Sequence, residues 1–257
     1  MTSQPVILLC KCSHYKTIPD AVRSQILTAL EDAGVRFELI DDLCRLAARK
    51  DPNLKRWAAA EGLRIAACFP RAVKSLFNAA GVPLTDKTKI FNMRAESAED
   101  ISSRLLQDAP QGPCKNYAAE ETDKWIPWFP AIDYDRCINC KQCLNFCLFG
   151  VYELIENKVT VTRCANCKTN CPACAKMCPK SAIIFPKYPD APINGAEVDD
   201  SNSANQTQKD ISGLLSGNIH EAIRRRGVKQ LDIPADVLAS LTPQDIARIK
   251  QKEAAGE

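Results

Sequence analysis

Closely spaced thiols dominate the second half of this chain. Cys137, Cys140, Cys143 and Cys147 are separated by two, two and three residues. A second run follows, made of Cys164, Cys167, Cys171, Cys174 and Cys178, with Pro179 directly after the last. A segment this dense in cysteine folds around its thiols: they must pair as disulfides, hold metal, or sit as small buried hydrophobes. The 257-residue chain has 14 cysteines, two histidines and no recognisable export leader, so a reducing, cytoplasmic setting is expected and metal ligation is the better account.

The spacing points to one kind of metal site. Two-two-three steps let three thiolates wrap one cube of iron and sulfide while the fourth reaches a neighbouring cube. Zinc knuckles do not need that spacing twice, and two histidines leave little for mixed Cys/His zinc sets. The second run has one thiol too many, and an internal repeat suggests a register. Arg136-Cys-Ile-Asn-Cys140 matches Arg163-Cys-Ala-Asn-Cys167, and Cys143 and Cys147 match Cys174 and Cys178. Each half then leads into a strand-like stretch, Val151 to Ile155 and Ala182 to Phe185. The second set becomes Cys164, Cys167, Cys174 and Cys178, with Cys171 in an inserted loop. Using Cys171 in place of Cys164 breaks the repeat and stands as the alternative.

On these motifs, residues 131–189 resemble the dicluster bacterial-type ferredoxins. The resemblance implies an α+β ferredoxin-like domain with cross-ligation. Cys137, Cys140 and Cys143 would share one 4Fe-4S cluster with Cys178, and Cys164, Cys167 and Cys174 the other with Cys147. Two departures stand out: Leu148 replaces the proline usual after the first motif, and the inserted loop carries Cys171.

Residues 1–107 read differently. Short apolar runs at 5–10, 35–40, 63–68 and 89–93 alternate with helical patterns at 21–33, 42–48, 70–80 and 97–107, which calls for an α/β domain with an open, Rossmann-like parallel sheet. Four more cysteines fall near strand ends: Cys10 and Cys12 after the first, Cys44 past the second, Cys68 after the third. The carboxyl ends of parallel strands share one crevice, so thiols scattered along the sequence should meet there. Buried packing is the plainer use of any one of them. Leu9-Cys-Lys-Cys12, Cys44, Ala67-Cys-Phe-Pro-Arg71 and Asn92-Met-Arg94 resemble the N-terminal cluster domain of the heterodisulfide reductase A subunit. That resemblance covers residues 5–95 and implies that Cys10, Cys12, Cys44 and Cys68 bind a 4Fe-4S cluster. The family continues into a flavin-binding domain. This chain shows no G-x-G-x-x-G among its ten glycines and no P-loop, so neither flavin nor nucleotide is expected on it.

The remaining divisions are a proline- and aromatic-rich linker (108–130), a polar, flexible linker (190–212) and a short helical tail (213–257). A net charge of +3, with 25% charged and 46% hydrophobic residues, gives no reason to expect nucleic acid, and no apolar run reaches the roughly 18 residues of a membrane span. His14 and Arg71 are candidates to touch the N-terminal cluster. Cys114 reads as a spare thiol, Trp125 and Trp128 as shields for the ferredoxin module, and Arg224-Arg-Arg226 as a solvated helix end. The expectation is an electron-transfer subunit with three 4Fe-4S clusters, in a cytoplasmic redox complex of heterodisulfide-reductase-like type, partnered by a flavoprotein or catalytic oxidoreductase subunit. The alternative is a redox enzyme that reduces a disulfide or small molecule at the N-terminal cluster.

Overall fold

A computed structural model describes residues 5–117 and 125–200. The expected helical tail, and all of the 190–212 linker beyond residue 200, lie outside the described residues.

The chain opens with strand β1 (Ile7–Cys10), whose four residues are all buried. Such an unbroken apolar run suits a strand covered on both faces. Helix α1 (Asp20–Asp32) buries Ile26 and Leu30, one turn apart, and leads to β2 (Glu38–Ile40). Helix α2 (Leu43–Ala48) starts where Asp42 accepts a hydrogen bond from the Arg45 amide, an N-cap. Helix α3 (Pro52–Ala58) is capped by Asp51 with proline at its first position, and β3 (Arg64–Ala67) follows. Helix α4 (Pro70–Ala79) packs Ala72, Val73, Leu76 and Phe77 inward. Strand β4 (Lys89–Asn92) and helix α5 (Ala98–Leu106), capped by Ser97, complete the alternation.

One more strand, β5 (Lys115–Tyr117), lies in the stretch read as a linker. It pairs in parallel with β2 as the sheet edge, giving the order β4-β3-β1-β2-β5 with every pairing parallel. The fold is therefore α/β. The chain leaves β1 for β2 on one side and returns to β3 on the other, so the sheet's switch point lies between the carboxyl ends of β1 and β3.

The cysteine-rich part follows. Strand β6 (Ala131–Ile132) pairs antiparallel with β9 (Ile183–Ile184), and β7 (Tyr152–Ile155) forms a hairpin with β8 (Lys158–Val161). Glu156 and Asn157, both at positive φ, make its two-residue turn. Helices α6 (Gln142–Phe146) and α7 (Ala173–Lys176) occupy matching places, each with a cysteine second: Cys143 and Cys174.

The α/β and cysteine-rich parts belong to one compact unit. Arg71 on α4 ties them together, with Nε 2.6 Å from the Asp133 carboxylate and Nη1 donating to the Pro192 and Ala196 carbonyls at 3.2 and 2.9 Å. Its Nη2 also donates to the Ser181 carbonyl. The loop comes so close to α4 that a methyl group on Gly195 would stand 2.5 Å from the Ala72 Cβ, and Gly195 has φ +96°. Gly195→Ala should therefore destabilise the fold by about 1–3 kcal/mol through overpacking and a disfavoured backbone. A thermal midpoint equal to wild type would show that the loop yields at no cost.

Candidate metal centres

The sheet brings the four N-terminal cysteines together. Cys10 ends β1, Cys12 follows it at φ 52°, Cys68 follows β3, and Cys44 sits in the first turn of α2. All four line one small cavity with Asp42, Leu43, Pro186 and Lys187, and Ile18 and Leu76 close its apolar side. The thiols are nearly sealed: Cys10 is 4% exposed, Cys44 5%, and Cys12 and Cys68 8%. The Leu43 amide, at the start of α2, donates to the Cys10 sulfur at 3.4 Å.

Burial raises the thiol pKa of Cys10 and Cys44 well above the usual range and that of Cys68 to about 12, with neighbouring thiols adding to the effect. Without metal these groups hold their protons at neutral pH, and metal binding must displace them. The cage also contains a buried cation. Lys187 is 4% exposed, ion-paired to buried Asp42, and its Nζ lies 3.9 Å from the Cys12 sulfur. Burial pulls the Lys187 pKa down, but Cys44, Asp42 and Cys12 outweigh this, and the net shift is upward.

Arg94 reinforces that arrangement. Its guanidinium donates to the Pro186 carbonyl at 3.0 Å and the Tyr188 carbonyl at 3.3 Å, holding the backbone on both sides of Lys187. Neither His14 nor Arg71 lines the cavity. Arg71 serves the contact described above, and His14 is half-buried.

Two further cavities lie in the cysteine-rich part. One is lined by Cys137, Cys140, Cys143 and Cys178, bringing the first run together with the last thiol of the second. The Ala182 amide donates to the Cys178 sulfur at 3.2 Å. Asn139, left-handed at φ 54°, sends its amide to the Asn157 carbonyl (2.6 Å) and accepts from the Val159 amide (3.1 Å), pinning the loop to the hairpin.

The other cavity is lined by Cys147, Cys167, Cys171 and Cys174. Cys164, expected here, is not among its lining residues, whereas Cys171, placed by the repeat in an inserted loop, is. Burial pushes Cys167 up to about 12, with Cys174, Cys171 and Cys147 acting on it ahead of Cys164. Cys164 is pushed up to about 11 by burial, with Lys50 pulling the other way. The buried Tyr152 hydroxyl lies beside the Cys174 thiol and is held un-ionised chiefly by burial, with the Cys174, Cys143 and Cys147 sulfurs adding to the effect. Tyr152 lines this cavity.

An aromatic seam joins this cavity to the N-terminal cage. Lys187 lies 5.2 Å from the Tyr15 ring, Tyr15 contacts Trp128 at 5.8 Å, and the Trp128 indole donates to the Cys171 carbonyl at 3.4 Å. Trp128 is buried and stacks on Phe185; Trp125 is half-buried beside Phe129. Cys114 stands apart, immediately before β5.

The donor sets suit clusters. They are all sulfur, a soft set matched to iron–sulfur groups. The thiols surround cavities, and among the described residues no three His, Cys, Asp or Glu side chains converge on a single ion.

No protein-family model matches this chain. A 64-residue stretch, 24% of the chain, is 50% identical to an uncharacterized ferredoxin of Methanocaldococcus jannaschii. The match spans 44% of that relative, less than half its length. Part of this chain is therefore similar to a ferredoxin. Among the described residues no helix is long and apolar enough to cross a membrane.

Proposed function

We propose that this chain is an iron–sulfur electron-transfer subunit with three 4Fe-4S clusters, working beside a flavoprotein or catalytic oxidoreductase subunit in a complex of heterodisulfide-reductase-like type. The observation that carries this reading is the grouping of thiols around three separate cavities within one compact unit. The ferredoxin similarity supports it for part of the chain. Cys10, Cys12, Cys44 and Cys68 would hold the first cluster, and Cys137, Cys140, Cys143 and Cys178 the second. Cys147, Cys167 and Cys174 would hold the third together with Cys171 or Cys164.

When bound, each cluster accepts and returns one electron. The protein's part is to hold it and set its surroundings. Leu43 and Ala182 give backbone N–H bonds to sulfur, which favour the more negative state. The apolar walls at Ile18, Leu76 and Pro186 keep water from the N-terminal cage. That enclosure weighs against the alternative in which a disulfide or small molecule is reduced there, since a substrate would need an open approach to sulfur or iron.

Reduction of the anaerobic chain with dithionite tests the proposal. The expected result is about three one-electron spins per chain by electron paramagnetic resonance, with the reduced protein inert toward an organic disulfide. Steady turnover of that disulfide by the isolated chain would instead establish the enzymatic reading.

A further inference from the structure

Lys187 is the least expected group in the N-terminal site. It belongs to the segment after β9, in the cysteine-rich part, yet its side chain is 2% exposed and stands in the α/β cage opposite Asp42, itself 1% exposed. Enclosing a lysine and a carboxylate costs more than their mutual attraction usually returns. An ion pair alone is therefore a poor reason for this arrangement. The lysine faces more than Asp42: its Nζ is 3.9 Å from the Cys12 sulfur, and Cys44 acts on it as well. Its backbone is held from the α/β side by Arg94. The cation is fixed in place by the contact between the two parts.

We infer that Lys187 is the positioning cation of the N-terminal site, raising the reduction potential of the group held by Cys10, Cys12, Cys44 and Cys68. This rests on the proposal that those thiols bind a cluster. A thiolate-ligated cluster gains a negative charge on reduction, and a fixed positive charge nearby favours the reduced state more than the oxidised one. Asp42 acts with the opposite sign. One of its oxygens accepts from the Arg45 amide at 3.1 Å and the other faces Lys187. An asparagine there keeps a capping oxygen and loses the charge.

The test is a redox titration of the full anaerobic chain, read by electron paramagnetic resonance with iron counted alongside. The N-terminal signal is identified as the one lost in Cys68→Ser. In Lys187→Met that signal should move to a lower midpoint by at least tenfold in the reduction equilibrium, about 59 mV for one electron. In Asp42→Asn it should move upward, and the other two signals should stay in place in both variants. Wild-type midpoints in both variants would overturn the inference, as would a shift shared by all signals. If Lys187→Met loses its N-terminal iron, Asp42→Asn decides: an upward shift supports the inference and an unmoved midpoint ends it. Wild-type protein with about eight irons and no signal sensitive to Cys68→Ser would remove the three-cluster proposal itself, and the role of Lys187 with it.

Discussion

Cys68→Ser is expected to lower iron and acid-labile sulfide in the anaerobically purified chain from about 12 of each to about eight. Cys68 follows a buried interior strand of the sheet, so its backbone position is set by the β3 pairings with β1 and β4 rather than by any metal. Serine fits that place, and its hydroxyl is a much poorer ligand to iron than a thiolate. Among the described residues no cysteine beyond these four lines the cavity to replace it. The loss should be confined to one signal, because the other two cavities draw on different thiols. Cys114→Ser, which touches none of the three, should keep all the iron. If the wild type itself carries about eight irons and Cys68→Ser changes nothing, the four N-terminal cysteines are packing residues.

The N-terminal site was legible in the sequence to the extent that it depends on where strands end. Ile7 to Cys10 is an apolar run, Arg64 to Ala67 is buried throughout, and as parallel neighbours the two strands bring their carboxyl ends side by side. That alone places Cys10 near Cys68. Helix α3 was missed although Asp51-Pro52 is a capping signal, because the segment is short and only Leu54 and Trp57 are buried. Strand β5 had even less signal. Lys115-Asn-Tyr117 has no apolar alternation and exists as a strand because the edge of β2 offers it hydrogen bonds. Lys187 was illegible for the same reason: nothing in Pro186-Lys-Tyr188 indicates that its side chain enters a cage built from residues more than a hundred positions earlier.

The third group of thiols is where the sequence repeat and the geometry diverge, and two substitutions separate them. Cys171→Ser is expected to cost about four irons, while Cys164→Ser keeps about 12. The repeat aligned Cys164 with Cys137 on the strength of Arg-Cys-x-Asn-Cys, a match that begins at the amino end of each run. The backbone aligns from the other end. Cys143 and Cys174 are each the second residue of a short helix, and Cys140 and Cys171 each lie three residues before them. Asn139 and Asn170, directly ahead of those two, are both left-handed, at φ 54° and 61°, a conformation asparagine tolerates better than most residues. A left-handed asparagine thus precedes both Cys140 and Cys171, and the extra residue falls between Cys167 and Cys171. Arg163 also has a different use. It donates to the Gly150 carbonyl and pairs with Glu153, while Arg136 donates to the Lys180 carbonyl, so each arginine secures the loop that follows the other run's last cysteine. The repeated Arg-Cys pair thus marks a structural brace, and an arginine kept for bracing says little about whether the thiol beside it binds iron. Four irons lost in Cys164→Ser and none in Cys171→Ser would restore the register of the repeat and make Cys171 the spare.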